Sequence, residues 1–231
     1  MSDQSRLRLG GALMAGGLLF NAVVTMAWHP SGSEDDHEAI FREYAASDPW
    51  VATHFGQFVG VGIAIAGFII LCRALMVAGG GNLGPRLAIG ALIASAAGFA
   101  ILQGLDGIAL KQAVDAWAGS SGAEEKIRFA DAETVRWLEW GFQSYFRILL
   151  GVSLGLIGVA VLAKPLLTPL LGWLAIVAGA MSIVVGVDVG YSGLEGGLQD
   201  ALSVVFQLAV LAFAVGVLAS GFRRRNLAAA A

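Results

Sequence analysis

The chain alternates between long apolar runs and short polar connections. Six runs hold mostly apolar and small residues, and they cover about residues 9–28, 51–78, 86–110, 137–163, 166–190 and 201–221. A membrane-crossing helix needs about 20 such residues. The pattern therefore predicts an all-α polytopic membrane protein in which residues 1–231 form a single domain of six transmembrane helices in contact with the lipid bilayer.

Composition supports this prediction. Only 13% of the residues are charged, against about 25% in a soluble domain. The first run is longer than the roughly 7–15 apolar residues of a signal peptide, so we expect it to stay as a helix. The single cysteine, Cys72, excludes an internal disulfide and a cysteine-based zinc cluster. We expect no nucleic-acid partner.

Charges are segregated between the two ends of the six runs. One set of ends carries basic residues, namely Arg6, Arg8, Arg73, Arg86, Lys164 and the arginines 223–225. The acidic segments 34–48, 115–136 and 195–200 belong to the other set. Basic residues accumulate on the cytoplasmic side of a membrane. We therefore predict that both termini are cytoplasmic and that the connection after the first run faces outward from a bacterial inner membrane.

That outward connection contains all three histidines of the chain, in WHPSGSEDDHEAIFREYAASDPWVATH at 28–54. A short helix is predicted at about 34–46. His37, Ile40, Phe41 and Tyr44 share one face of it by helical spacing, so the helix should lie on the outer mouth of the bundle with this face inward.

The other two histidines flank that helix at the ends of the first two runs. His29 follows the first run and His54 begins the second. We expect His29, His37 and His54 to converge, with Asp106 as a carboxylate partner. Imidazole and carboxylate ligands suit Zn²⁺ or another transition metal.

A layer of polar residues occupies the outer half of the predicted bundle. Polar side chains within a bilayer tend to face the bundle interior or a watery cavity. The residues predicted to line such a ligand pocket are Asn21, Gln57, Gln103, Asp106, Glu139, Gln143, Arg147, Asp188 and Gln207. Arg147 needs a charged partner at this depth, and Asp106 or Glu139 is the natural candidate.

The pattern favours an outward-facing pocket for a metal ion or a small polar ligand, and it leaves other functions open. One alternative is a small-solute transporter or channel subunit. Another is a membrane-embedded, metal-dependent hydrolase, although no nucleophile motif such as GxSxG is present, so the sequence leans against an enzyme. A further alternative is a subunit that packs on a second copy or on a membrane complex through its Gly-rich faces.

The stretch YAASDPWVATHFGQFVG at 44–60, together with the six-run layout, resembles small bacterial integral membrane proteins of uncharacterised function. The resemblance implies six spans in the inner membrane and no particular activity.

Overall fold

The computed structural model contains helices joined by short connections, and no strands, in the part of the chain it describes. It describes residues 1–30, 32, 34, 36–78, 83–194 and 197–229, with side chains as far as Arg223. The helices are α1 Asp3–Trp28, α2 His37–Ala46, α3 Trp50–Val77, α4 Leu83–Gly104, α5 Lys111–Ala118, α6 Ala123–Leu162, α7 Pro169–Ser192 and α8 Leu198–Ala229. A π-helical segment, Leu105–Leu110, joins α4 to α5 without interruption. The side chains of Arg224 and Arg225, used above for the orientation, lie outside the described residues.

Six of these helical stretches are long and apolar enough to cross a membrane. They are Asp3–Trp28, Trp50–Val77, Leu83–Ala118, Ala123–Leu162, Pro169–Ser192 and Leu198–Arg223. The prediction of an all-α chain with six long apolar helices is therefore confirmed for the described residues, and the chain is a multi-pass membrane protein. Each span packs against the next along the chain, and α8 packs against α1 to close the ring.

Glycine allows two of these neighbouring pairs to approach very closely. A Cβ atom at Gly17 of α1 would lie 2.4 Å from the carbonyl oxygen of Gly60 in α3. A Cβ atom at Gly151 of α6 would lie 2.5 Å from the carbonyl oxygen of Gly179 in α7. Small residues replace hydrophobic burial as the basis of helix packing in lipid. At these positions the Gly-rich faces are occupied by helices of the same chain.

The half of the bundle opposite α2 is filled by apolar side chains. Phe68 and Leu71 of α3 pack there with residues of the five other spans. Buried members of this core include Leu7, Met14, Leu92, Ile157, Leu171 and Phe213. The floor of the bundle is therefore largely apolar.

The other end of the bundle carries a helical cap. At about 1.5 Å per residue, the 40 residues of α6 extend about 60 Å, twice the thickness of the hydrocarbon core. The N-terminal part of α6 packs with α5 and α2 around a separate apolar cluster. We call α2, α5 and this part of α6 the cap. Its core contains Ile40, Phe41, Tyr44, Trp50, Leu110, Val114, Trp117 and Ala132.

The cap changes one detail of the sequence-based picture and confirms another. Residues 115–136, expected as a polar outer segment, are mostly helical, and α6 begins at Ala123, well before residue 137. The predicted short helix corresponds to α2, whose Ile40, Phe41 and Tyr44 are buried as expected. Trp50 and Trp117 belong to the apolar core of the cap.

Candidate metal centre

Three of the predicted metal ligands meet where the cap joins the bundle. His29 is the residue that ends α1, His54 lies in the second turn of α3, and Asp106 lies in the π-helical segment. One ligand atom from each of the three lies within 4.8 Å of the other two. Residues from three separate spans therefore form one His₂Asp group.

Backbone carbonyls orient both imidazoles of this group. The Nδ1 of His29 lies 2.8 Å from the carbonyl oxygen of Pro30, and that of His54 lies 2.8 Å from the carbonyl oxygen of Trp50. A histidine that binds a metal usually donates its other ring N–H to such an acceptor. In both residues Nε2 is consequently the nitrogen placed to act as a ligand.

The spacing of one pair of ligand atoms is close to what a metal requires. The Nε2 atom of His54 lies 3.0 Å from Oδ2 of Asp106. Tetrahedral Zn²⁺ with bonds of about 2.0–2.1 Å separates its ligand atoms by about 3.3 Å. The pair needs to open by only a few tenths of an ångström to hold an ion.

The π-helical segment positions Asp106. A π turn inside an α-helix frequently marks a functional site. The indole Nε1 of Trp50 donates to the Asp106 carbonyl oxygen at 3.1 Å, which ties the segment to α3. Next to it, a Cβ atom at Gly107 would lie 2.4 Å from Cβ of His54. Only glycine lets the two helices approach this closely.

The second carboxylate oxygen of Asp106 has no hydrogen-bond partner in the part of the chain that the structure describes. Its Oδ1 atom is buried and makes no hydrogen bond to any described residue. A buried acceptor without a partner is costly. The atom is available to a bound cation or to a group that a cation carries.

A charged network borders the group on the cap side. Arg136 contacts the carboxylates of Glu34 and Glu139, the latter at 2.5 Å. Tyr44 donates its hydroxyl to Glu34 at 2.6 Å, and burial raises the pKa of Tyr44 above its ordinary value. Arg136 and Glu139 are both within electrostatic reach of Asp106.

Aromatic rings enclose the two histidines. The Trp50 ring centre lies 4.4 Å from that of His54 and 5.2 Å from that of His29. The ring centre of Tyr44 lies 4.0 Å from that of Trp50. His54 is only 2% exposed to solvent. His54 is therefore shielded from solvent, and such shielding strengthens the electrostatic attraction between a cation and Asp106.

His37 lies apart from this group. Its Nδ1 atom bonds to Glu133 at 2.9 Å, and its ring stacks on Phe41 and contacts Trp140. His37 lies in the first turn of α2, and its side chain faces α6. Asp36 caps this helix by accepting a hydrogen bond from the backbone N–H of Ala39. The structure thus brings together His29, His54 and Asp106 and leaves His37 in the cap.

Arg147 has a different environment from the one expected. Its guanidinium donates to Ser203 of α8 at 3.2 Å, and its Nε atom has no partner among the described residues. Asp106 pairs with His54, and Glu139 pairs with Arg136. The expected pairing of Arg147 with either carboxylate is therefore wrong, because each lies closer to another partner.

The remaining predicted pocket residues are distributed around the bundle. Gln57 donates to Thr25, whose hydroxyl in turn donates to the Asn21 carbonyl, at the α1–α3 interface. Asp188 accepts from Gln199 at 2.8 Å. Gln103 is buried, Gln143 is half-buried and Gln207 is exposed. Of these residues, Gln103 lines a small groove together with His54, and the others lie in separate surroundings.

Sequence reasoning missed the groups that surround the metal ligands. Glu34, Tyr44 and Trp50 were assigned no role at the site, and Arg136 was not assigned a partner. A usable signal was present for α5, where Leu110, Val114 and Trp117 recur at helical spacing. Such a stripe predicts a packed helix and therefore a covered site.

No protein-family model, curated protein or solved structure matches this chain. Function is therefore argued from the geometry of the site.

Proposed function

We propose that this membrane protein binds one transition-metal ion, Zn²⁺ foremost, at His29, His54 and Asp106. The observation that carries the proposal is the convergence of three ligand atoms within 4.8 Å, with both imidazoles held by backbone carbonyls at 2.8 Å. Two imidazoles and one carboxylate form a common ligand set for zinc.

The local charge favours a cation. Asp106, Glu139 and Glu34 provide three carboxyl groups, and Arg136 provides one guanidinium. The carboxyl groups outnumber the guanidinium, so this region is better suited to a cation than to an anion. A cation would also give a partner to the Oδ1 atom of Asp106, which has none among the described residues.

We also propose that the cap and the site face the periplasm of a bacterium and that both termini are cytoplasmic. The basic residues Arg6, Arg73, Arg86 and Lys164 lie at the ends of the spans opposite the cap, which fits the positive-inside rule. A C-terminal green fluorescent protein fusion should fluoresce, and a C-terminal alkaline phosphatase fusion should be inactive. The reverse pair of results would contradict this orientation.

The metal site is tested by elemental mass spectrometry of the purified protein. Wild type should carry about one zinc ion per chain, and His29→Ala, His54→Ala and Asp106→Ala should each lose most of it. His37→Ala is the matched control, because this imidazole pairs with Glu133 instead, and it should keep the metal. Equal metal content in all variants, or none in wild type after incubation with Zn²⁺, would contradict the proposal.

A metal-dependent hydrolase is the second candidate, and one observation favours it. The group found among the described residues contains three protein ligands, as in catalytic zinc sites, where water takes the fourth position. Titration of a hydroxamate into Co²⁺-loaded protein should then change the visible absorption spectrum. An unchanged spectrum would count against an open position. The apolar floor of the bundle favours binding over transport.

A further inference from the structure

A small apolar groove opens on the membrane-facing side of the bundle between α3 and the end of α4. Its volume is about 160 Å³. Phe55 and Phe58 line it and are themselves largely exposed. The groove runs inward from this exposed rim to two polar residues, His54 and Gln103. It is thus an opening toward the bilayer with a polar inner end.

Gln103 supplies the free hydrogen-bonding group at that inner end. The residue is only 8% exposed, and its Oε1 atom is buried without a hydrogen-bond partner among the described residues. His54 does not offer such a group to a ligand in the groove, because its two ring nitrogens already contact the Trp50 carbonyl and Asp106. A buried amide oxygen without a donor is unfavourable, so a ligand that donates a hydrogen bond would be stabilised here.

Size and surroundings define the ligand. The groove lies within two membrane-crossing helices, so a molecule reaches it from the lipid phase. A cavity of about 150 Å³ lined by apolar side chains accommodates a benzene ring, close to the volume found here. Aromatic rings pack favourably against phenylalanine side chains. An acceptor oxygen at the inner end selects a hydroxyl group.

We propose that this groove binds the head of a lipid-soluble phenol or quinol. The ring packs against Phe55 and Phe58, its hydroxyl donates to Oε1 of Gln103, and its alkyl tail extends into the bilayer. Binding at this groove does not depend on a metal ion at the neighbouring His₂Asp group. The test is therefore carried out on chelator-treated protein, so its outcome does not depend on whether the metal proposal is correct.

The test uses two photoreactive probes on the protein in lipid nanodiscs. One is an alkylphenol that carries a diazirine and an alkyne on its tail, and the other is the matching alkylbenzene without the hydroxyl. The phenol should label peptides that contain residues 51–58 or 100–108, and excess unlabelled alkylphenol should compete. The alkylbenzene should label the same peptides about tenfold less, which is the upper end of the range for one net hydrogen bond.

Matched variants identify the groups responsible. Gln103→Leu should reduce phenol labelling to the level of the alkylbenzene, whereas Gln57→Leu, which alters the α1–α3 interface, should not. Ala100→Phe fills the groove and should abolish labelling by both probes. Ala97→Phe, on the exposed surface one turn earlier, should leave it intact.

Three results would overturn the proposal. Equal labelling by the two probes, unaffected by Gln103→Leu, would identify a site for an acyl chain only. Labelling that does not saturate would show general partitioning into lipid. Saturable labelling that maps to other helices would place the phenol site elsewhere. Each variant is compared with wild type in thermal unfolding, and Ala100→Phe tests the same groove if Gln103→Leu does not fold.

Discussion

Replacing Gly107 by alanine should weaken metal binding without replacing a ligand. The new Cβ atom would lie 2.4 Å from Cβ and 2.8 Å from Cγ of His54. Carbon atoms in contact stay about 3.5–4.0 Å apart, so the imidazole or the π-helical segment must move by about 1 Å. A metal site tolerates about 0.2 Å in its ligand distances, and the two ligands on either side of the clash cannot both remain in place.

The size of the effect follows from the same geometry. Overpacking typically costs about 1–3 kcal/mol, against a gain of about 1 kcal/mol in helix propensity for alanine over glycine. The protein should therefore be destabilised by at most about 2 kcal/mol and should still fold. Loss of correct ligand placement should lower zinc affinity by about 10–100-fold, as changes in the groups that orient ligands do.

Gly104→Ala is the matched control for this prediction. It lies one turn earlier on the same continuous helix, and a Cβ atom there would meet nothing within 4 Å. Competition with a chromophoric zinc chelator, on protein in detergent, gives the affinity of both variants, and thermal unfolding reports stability. Gly104→Ala should bind zinc like wild type. If Gly107→Ala binds zinc as tightly as Gly104→Ala, the proposed contact between the π-helical segment and His54 does not control the site.

Three further predictions concern the framework around the site. A Cβ atom at Gly151 would lie 2.5 Å from a backbone oxygen of α7, whereas one at Gly155 meets nothing within 4 Å. Gly151→Leu should therefore lower the thermal unfolding temperature, and Gly155→Leu should not. Equal effects of the two variants would argue against this helix contact. Arg136 is 1% exposed and bonds to Glu139, so Arg136→Met should destabilise the cap by about 3–5 kcal/mol in denaturant unfolding. Adding Glu139→Leu should recover part of this loss of stability. No recovery would contradict the pairing. Burial raises the pKa of Tyr44 above 10.0, so as pH increases the unfolded chain loses the hydroxyl proton of Tyr44 before the folded protein does. The free energy of unfolding should therefore fall above about pH 10. Tyr44→Phe should flatten this fall, and an unchanged dependence of stability on pH would show that another group causes it.

The six spans were predictable because lipid-facing helices must be apolar over about 20 residues. Helix continuation beyond the bilayer was not, because charged residues such as Glu124 and Arg128 are equally common in loops and on solvated helices. In α6 they lie on the exposed face, while Phe129, Ala132 and Val135 pack into the cap. This stripe was the available signal.

The site was predictable in part. The nearness of three histidines in sequence suggested convergence, but the direction of each side chain is set by its helix. His29 and His54 come from the ends of two adjacent spans, α1 and α3, so they meet. The start of α2 turns His37 toward Glu133 instead. The π turn that carries Asp106 has no sequence signature of its own, and its role appears only from the contact between Gly107 and His54.

The most direct test of the metal site is zinc K-edge X-ray absorption on the purified protein. We expect a shell of nitrogen and oxygen atoms at about 2.0–2.1 Å, with scattering from two imidazoles in wild type and from fewer around the zinc that His54→Ala retains. His37→Ala should give the wild-type spectrum. A spectrum with sulfur ligands, with no imidazole scattering, or with imidazole scattering that is lost in His37→Ala but kept in His54→Ala, would contradict a metal centre at His29, His54 and Asp106.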